Sequence, residues 1–127
     1  MIDFSQDTVF NLKPTDEKNI CKDVKNLYIQ GEETIGVFRT IRDQVVFTNK
    51  RIITIDVQGV TGMKKDYCSL PYSKIQYYAI QTPGFAEIIS DCELMLFFAN
   101  GMKIVFEFKG NCDILGIGRC ISEYALG

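Results

Sequence analysis

Residues 93–109 carry the strongest short hairpin signal in this chain. Asn100-Gly101 sits between two runs of alternating apolar residues, the pattern of a β-hairpin whose turn residues tolerate positive φ. In the second run, residues 102–109, one face carries Met102, Ile104, Phe106 and Phe108. The other carries Lys103, Glu107 and Lys109, with Val105 the lone apolar residue among them. The first run, residues 93–99, is apolar on both faces: Leu94, Leu96 and Phe98 on one, Met95, Phe97 and Ala99 on the other. A strand with one wet face does not spend Met95 and Phe97 on water. A second layer must therefore cover them, either an amphipathic N-terminal helix or a neighbouring subunit.

The rest of the chain reads as more short strands and a closing helix. Residues 34–40 form a first strand, broken at Arg42-Asp43. Residues 45–48 and 51–57 form a hairpin joined at Asn49-Lys50, with Asn49 suited to a left-handed turn position. A loop on Gly59 and Gly62 follows, then strands at 67–71, stopped by Pro71, and 75–82, turned by Pro83-Gly84. Residues 87–90 fit a short strand or a loop. At the C-terminus Asn111 is a candidate cap, Asp113 falls in the first turn, and Ile114, Ile117, Ile121, Tyr124 and Ala125 recur at helical spacing. Gly116 and Gly118 cost this helix about 1 kcal/mol each relative to alanine, so close backbone approach to a sheet is expected there.

At the other end, residues 1–12 show no period and read as an arm. Residues 15–30 read as a helix: Thr15 caps, Asp16 and Glu17 suit the positive dipole end, and Ile20, Val24, Leu27 and Tyr28 make one stripe opposite Lys18, Lys22 and Lys25. Gly31 stands where such a helix ends. About seven strands and a terminal amphipathic helix suggest a small, partly open barrel. The expected organisation is one domain over residues 1–127: an arm and helix at 1–31, a β-barrel at 34–109 and a C-terminal helix at 111–126.

Composition removes several function classes. The net charge of -2 and pI near 5.1 argue against nucleic acid as a partner and against purely electrostatic membrane binding. No apolar run approaches the roughly 18 residues needed to span a bilayer. The acidic start, Met1-Ile2-Asp3-Phe4-Ser5-Gln6-Asp7, lacks a signal-peptide layout, so a cytoplasmic location is expected. The five cysteines, Cys21, Cys68, Cys92, Cys112 and Cys120, include no close pair and there is no histidine to complete a zinc site. They read as reduced, buried small hydrophobes. Missing histidine also removes the commonest general base. Asp91 and Glu93 are neighbours at a strand start, and Gly116-Ile117-Gly118 lies within a helix without a preceding parallel β-α unit. No catalytic residue, metal or cofactor is expected.

Several segments together resemble one family. These are Arg42-Asp43, the run Val46-Phe47-Thr48-Asn49-Lys50-Arg51, the stretch Ile55-Asp56-Val57-Gln58-Gly59-Val60-Thr61-Gly62-Met63-Lys64-Lys65, Leu70-Pro71-Tyr72-Ser73-Lys74-Ile75, and Glu93-Leu94. In this order they resemble the bacterial pleckstrin-homology (PH) domains, over roughly residue 12 to the C-terminus. The resemblance implies a mainly β fold of two near-orthogonal antiparallel sheets forming a partly open barrel capped by a C-terminal helix, to which this chain adds the N-terminal helix. It also implies no catalytic activity, assembly of single-domain members into cyclic rings, often pentameric, and protein–protein interaction where strands of adjacent subunits meet.

Two surfaces follow as candidates. Lys50, Arg51, Lys64 and Lys65, near Asp56, read either as ordinary solvated or paired side chains or as a partner or anion patch beside Gly59 and Gly62. Arg39 and Arg42 occupy the loop where phosphoinositide-binding PH domains of eukaryotes carry basic residues, though Asp43 opposes such a role. Met95, Phe97, Leu27 and Tyr28 are candidates for an oligomer interface. The expected function is a non-enzymatic module that forms a cyclic homo-oligomer and engages an unidentified protein partner. The alternative is a peripheral adaptor that binds anionic lipid headgroups through Arg39, Arg42, Lys64 and Lys65.

Overall fold

The computed structural model describes residues 8–60, 63–82 and 91–126, so Gly62, the Pro83-Gly84 turn and the expected element at 87–90 lie outside the described residues. Eight strands make one continuous sheet: β1 (Thr8–Pro14), β2 (Thr34–Arg39), β3 (Gln44–Thr48), β4 (Arg51–Gln58), β5 (Lys64–Pro71), β6 (Ile75–Gln81), β7 (Glu93–Phe98) and β8 (Lys103–Phe108). Their order is β5-β4-β3-β2-β1-β8-β7-β6. The helix α1 (Ile114–Ala125) follows.

The single sheet corrects the expectation of two near-orthogonal sheets, and the cause is the segment expected to be an arm. β1 runs parallel to β8 over five residues, from Thr8↔Ile104 to Leu12↔Phe108, while its end pairs antiparallel with β2 at Lys13↔Arg39 and Pro14↔Phe38. It therefore splices the two halves together. Alternation explains its placement: Phe10 and Leu12 are buried while Val9, Asn11 and Lys13 face outward.

The sheet curls around a core in which Phe10, Phe47, Phe106 and Phe108 meet; Phe10 stacks on Phe106 at 5.1 Å and Phe47 meets Phe106 edge-on at 5.4 Å. Helix α1 buries Ile114, Ile117 and Ile121 in the same core. Asp113, rather than Asn111, caps it, accepting from the Gly116 backbone N–H at 3.1 Å. A Cβ on Gly116 would overlap that carboxylate, so this glycine serves the cap. Gly118 does serve close approach: a Cβ there would lie 2.9 Å from Ile80 Cδ1, and the Tyr78 hydroxyl donates to its carbonyl at 3.0 Å.

A second apolar layer lies on the outer face of β2–β4. Val37, Val46, Ile53 and Ile55 are buried there beneath Val24, with Ile20, Cys21 and Tyr28 packed alongside. Residues 15–31 form this cover, but not as the expected helix. They make two short 3-10 turns, Glu17–Asn19 and Val24–Leu27. The reason is competition for backbone hydrogen bonds. Gln44 accepts from the Cys21 N–H at 2.9 Å and donates to the Asn19 carbonyl at 2.7 Å, Glu32 accepts from the Ile29 N–H at 3.0 Å, and Arg51 donates to the Leu27 carbonyl. Side chains of the sheet, together with Glu32 just before β2, take up groups that a helix would pair internally, and Asn19, Cys21 and Asp23 are weak helix formers. Gly31, at φ 80°, turns the chain into β2 rather than ending a helix.

The turns differ from expectation in detail. Asn49 is not left-handed, since among the described residues Asp91 is the one non-glycine with positive φ (53°). Its side chain instead accepts from the Glu33 N–H at 2.8 Å and donates to the Gly31 carbonyl at 3.0 Å. The Asn100-Gly101 hairpin closes through Phe98 N–H to Met102 carbonyl at 3.0 Å, with Gly101 alone at positive φ (85°), which makes its loop one residue longer than the minimal turn.

Candidate functional site

The outer face of the β1-β8-β7-β6 half has no second layer among the described residues comparable to the one over β2–β4. Register aligns a row of apolar side chains across it: Val9 opposite Val105, Val105 opposite Met95, Met95 opposite Ala79. In the next row Tyr77 lies opposite Phe97 and stacks on it, ring centroids 4.3 Å apart and planes within 8°. Val9 is 56% exposed and Tyr77 62%, with Met95, Phe97 and Ala79 half-buried. Thus the wet side of Phe97 is covered by another outward aromatic, not by residues 15–31, which lie over β2–β4. Tyr77 and Val9 belong to this surface and were missed by pattern reading; Tyr77 was legible only as one of two adjacent tyrosines on a strand, and Val9 lay in a segment without a period.

Leu27 and Tyr28 lie on the opposite half of the sheet. Tyr28 packs on the second apolar layer within its own chain, its hydroxyl 2.6 Å from the Thr34 hydroxyl, and burial raises its phenol pKa. Leu27 is 42% exposed. The four candidate interface residues thus fall on two surfaces, β7 and the strap over β2–β4.

The basic residues also separate. β4 pairs with β5 from Arg51↔Pro71 to Gln58↔Lys64, so Lys50 and Arg51 stand at one end and Lys64 and Lys65 at the other. Seven residues of strand put the ends about 23 Å apart. Arg39 and Arg42 belong with the lysines of β5, since Arg42 Nη2 donates to the Gly59 carbonyl at 2.6 Å.

Arg51 is committed to the fold. Its Nε and Nη2 bond the two carboxylate oxygens of Glu32, each at 3.0 Å, and Nη1 donates to Ser69 Oγ at 3.1 Å. The Glu32 side chain is 0% exposed and that of Arg51 20%. Thr48 donates to Glu32 at 2.6 Å as well. Burial opposes ionisation of Glu32, but the hydrogen bonds from Arg51, Thr48 and the Ile29 N–H outweigh it and hold the carboxyl below its usual range. Nothing in the sequence pairs Glu32 with Arg51; the glutamate sits in a loop between elements. Lys50 reaches Tyr124 of α1, Nζ to hydroxyl 3.3 Å. Asp56 is buried at 5% exposure and accepts from the Gln58 side chain at 3.3 Å, which also donates to Asp66 at 2.7 Å.

The eight-stranded curl, the closing helix and the run around Asn49-Lys50-Arg51 coincide with a family profile described as "Bacterial PH domain", which matches residues 3–125. The chain belongs to the bacterial PH domain family. This bacterial PH domain is 38% identical over 103 residues to YozO, an uncharacterised protein of Bacillus subtilis, covering 81% of this chain and 87% of that one. It is 29% identical over 105 residues to YjqA of the same organism, covering 83% and 84%. A crystal structure of a protein with a pleckstrin-homology domain from Shewanella loihica superimposes with a TM-score of 0.68 at 33% identity, covering 91% of this chain and 98% of that one. A pleckstrin homology domain from Shewanella amazonensis gives 0.56 at 36% identity, covering 89% and 90%.

Of the thiols in this PH domain Cys92 is buried, and Cys21, Cys68, Cys112 and Cys120 are partly buried. All five cysteines are free thiols; Cys92 is 1% exposed and Cys112 packs against the core, and burial raises both thiol pKa values. Among the described residues no three His, Cys, Asp or Glu side chains converge to hold a metal ion, and no helix is long and apolar enough to cross a membrane.

Proposed function

We propose that this bacterial PH domain is a non-catalytic interaction module that joins copies of itself into a closed ring, with the outer face of β6–β8 as the contact. The observation that carries the reading is the stacked Tyr77–Phe97 pair beside Met95, Val105 and Val9, an apolar strip facing outward on a sheet half without a cover layer. Val9 and Tyr77 are exposed, Met95 and Phe97 half-buried and Val105 buried at 9%, and aromatic and methionine side chains grouped on an outer face in this way mark interaction surfaces more often than plain solvent-facing sheet. Among the described residues the sheet also ends in two strands, β5 and β6, each with one side unpaired in the strand order. A neighbour covering such an edge removes an aggregation liability, and a head-to-tail contact between unlike surfaces closes into a ring when its rotation permits. The absence of histidine and of any cysteine pair close in sequence favours contact over chemistry as the mode of action, and the free thiols suit a cytoplasmic setting. An unidentified protein partner would engage the assembled ring.

Light scattering coupled to gel filtration tests this. At tens of micromolar the wild type is expected to run as a multiple of 14.4 kDa, and the combined change Met95→Glu and Phe97→Lys to run as a monomer with unchanged far-UV circular dichroism. A monomeric wild type would overturn the proposal.

A further inference from the structure

Two of the five cysteines, far apart in sequence, are brought together where the sheet meets the closing helix. Cys92 directly precedes β7, and Cys112 stands two residues before α1. The backbone joins these segments at adjoining positions. The Asp91 N–H donates to the Gly110 carbonyl at 3.3 Å, the Gly110 N–H returns a bond to the Asp91 carboxylate at 3.1 Å, and the Phe108 N–H donates to the Cys92 carbonyl at 2.9 Å. Cys92 continues the inward row of Leu94 and Leu96, all three buried. Gly110, at φ 84°, then turns the chain, and Cys112 packs on the same core to which Cys92 belongs. The two thiols thereby become side-chain neighbours, close enough for each to act on the ionisation of the other. The groups that act on Cys68 and Cys120 include no second thiol.

We propose that Cys92 and Cys112 form a reversible disulfide when the protein meets hydrogen peroxide, latching the start of α1 to the start of β7. Cys112 is the partly exposed member, and Cys92, at 1% exposure, stands behind it. That difference sets the order of events. The Cys112 thiolate attacks a peroxide oxygen; the O–O bond breaks, a sulfenic acid forms on Cys112, and hydroxide leaves and takes up the proton Cys112 had lost. The Cys92 sulfur then attacks the Cys112 sulfur; the S–S bond forms, and the sulfenic hydroxyl departs as water with the Cys92 proton. Two thiols give up two electrons, and one peroxide is reduced to two waters.

Burial is the main cause that raises both thiols, so thiolate is scarce near neutrality and the first step is slow. A thiolate that burial disfavours is also a poor leaving group, so the bond once made is slow to be broken by exchange. The pair therefore suits a durable latch rather than a rapid sensor. Its place gives the latch a purpose. Helix α1 carries Ile114, Ile117 and Ile121 into the core, and the bond would hold it at the residue beside its cap, Asp113. It would also close a loop of about 20 residues around β7 and β8, which restricts the unfolded chain. Both thiols belong to one chain, so the latch does not rest on self-assembly.

Mass spectrometry after hydrogen peroxide treatment tests this, with remaining thiols blocked by iodoacetamide in denaturant and the protein digested without reduction. In the wild type a peptide pair joined through Cys92 and Cys112 is expected, and the blocked thiols should fall by two from five. On a denaturing gel without reductant the oxidised chain should run as a monomer. Its thermal midpoint should rise by about 5 °C or more, and dithiothreitol should reverse every change. A variant combining Cys21→Ser, Cys68→Ser and Cys120→Ser should form the same bond, whereas Cys112→Ser should lose both the bond and the gain in midpoint. Oxidised wild type without the Cys92–Cys112 peptide, a bond formed in preference by another pair, or a joined form whose midpoint falls would each overturn the proposal.

Discussion

Replacing Arg51 by alanine should be the most damaging single change among the charged residues of this protein. Glu32 is wholly enclosed and accepts four hydrogen bonds: two from Arg51 at 3.0 Å, one from Thr48 at 2.6 Å and one from the Ile29 N–H at 3.0 Å. Arg51→Ala leaves the carboxylate buried with two donors and no cation. Removing one partner of a buried ion pair costs about 3–5 kcal/mol. The two surviving donors and the partial exposure of Arg51 place this case near the lower end, about 3 kcal/mol, or roughly 10 °C in thermal midpoint for a chain of this size. The pH dependence gives a sharper test. In the wild type the Glu32 pKa is lowered, so its contribution is present above the unfolded carboxyl pKa and is lost as pH falls through the folded value. In the variant, burial acts without the cation and should raise that pKa, so the penalty grows as pH rises from about 4 to 7. Urea unfolding at several pH values should show a gap between the two proteins that is widest near neutrality and narrows in acid. A gap below about 1 kcal/mol at neutral pH, or one that does not change with pH, would refute the reasoning.

Other changes probe the remaining structural claims. Gly118→Val places a Cβ 2.9 Å from Ile80 Cδ1 and 3.7 Å from the Tyr78 hydroxyl, and its branches have no room; a loss of about 1–3 kcal/mol in urea unfolding is expected, and a gain in stability would contradict the close approach of α1 to β6. Tyr72→Phe removes the donor of a wholly buried bond to the Thr48 carbonyl at 2.6 Å; the expected loss is about 1 kcal/mol, measured by the same method. Burial pushes the Tyr72 phenol far up, so alkaline absorbance titration should show that tyrosine ionising only when the protein unfolds. Burial also raises the Cys92 and Cys112 thiols, so an aromatic disulfide reagent should titrate fewer than five thiols in the native protein and all five in denaturant; prompt reaction of all five without denaturant would count against the packing.

Where alternation or local turn chemistry decides the conformation, the sequence is a good guide. The strands at β2, β3, β4, β6, β7 and β8 fall within a residue or so of their sequence-based bounds, and the closing helix buries Ile114, Ile117 and Ile121 as their spacing predicts. β5 begins three residues earlier than expected because its early residues, Lys64, Lys65 and Asp66, are polar and pair by backbone alone at the sheet edge. The candidate sites were less legible. Arg51 looked like a surface cation until Glu32 folded onto it, and the apparent basic cluster came apart into two ends of one hairpin.

Taken alone, then, the order of residues determined the strand-and-turn grammar and the family, because these depend on side-chain periodicity and turn chemistry over a few residues. Only the tertiary structure decided that residues 15–31 lie flat over β2–β4 and leave Met95 and Phe97 facing outward, that β1 splices the halves into one sheet, and that Arg42 reaches across to the Gly59 carbonyl. Those outcomes depend on which distant groups complete the backbone hydrogen bonds of a segment, a choice that local periodicity does not encode.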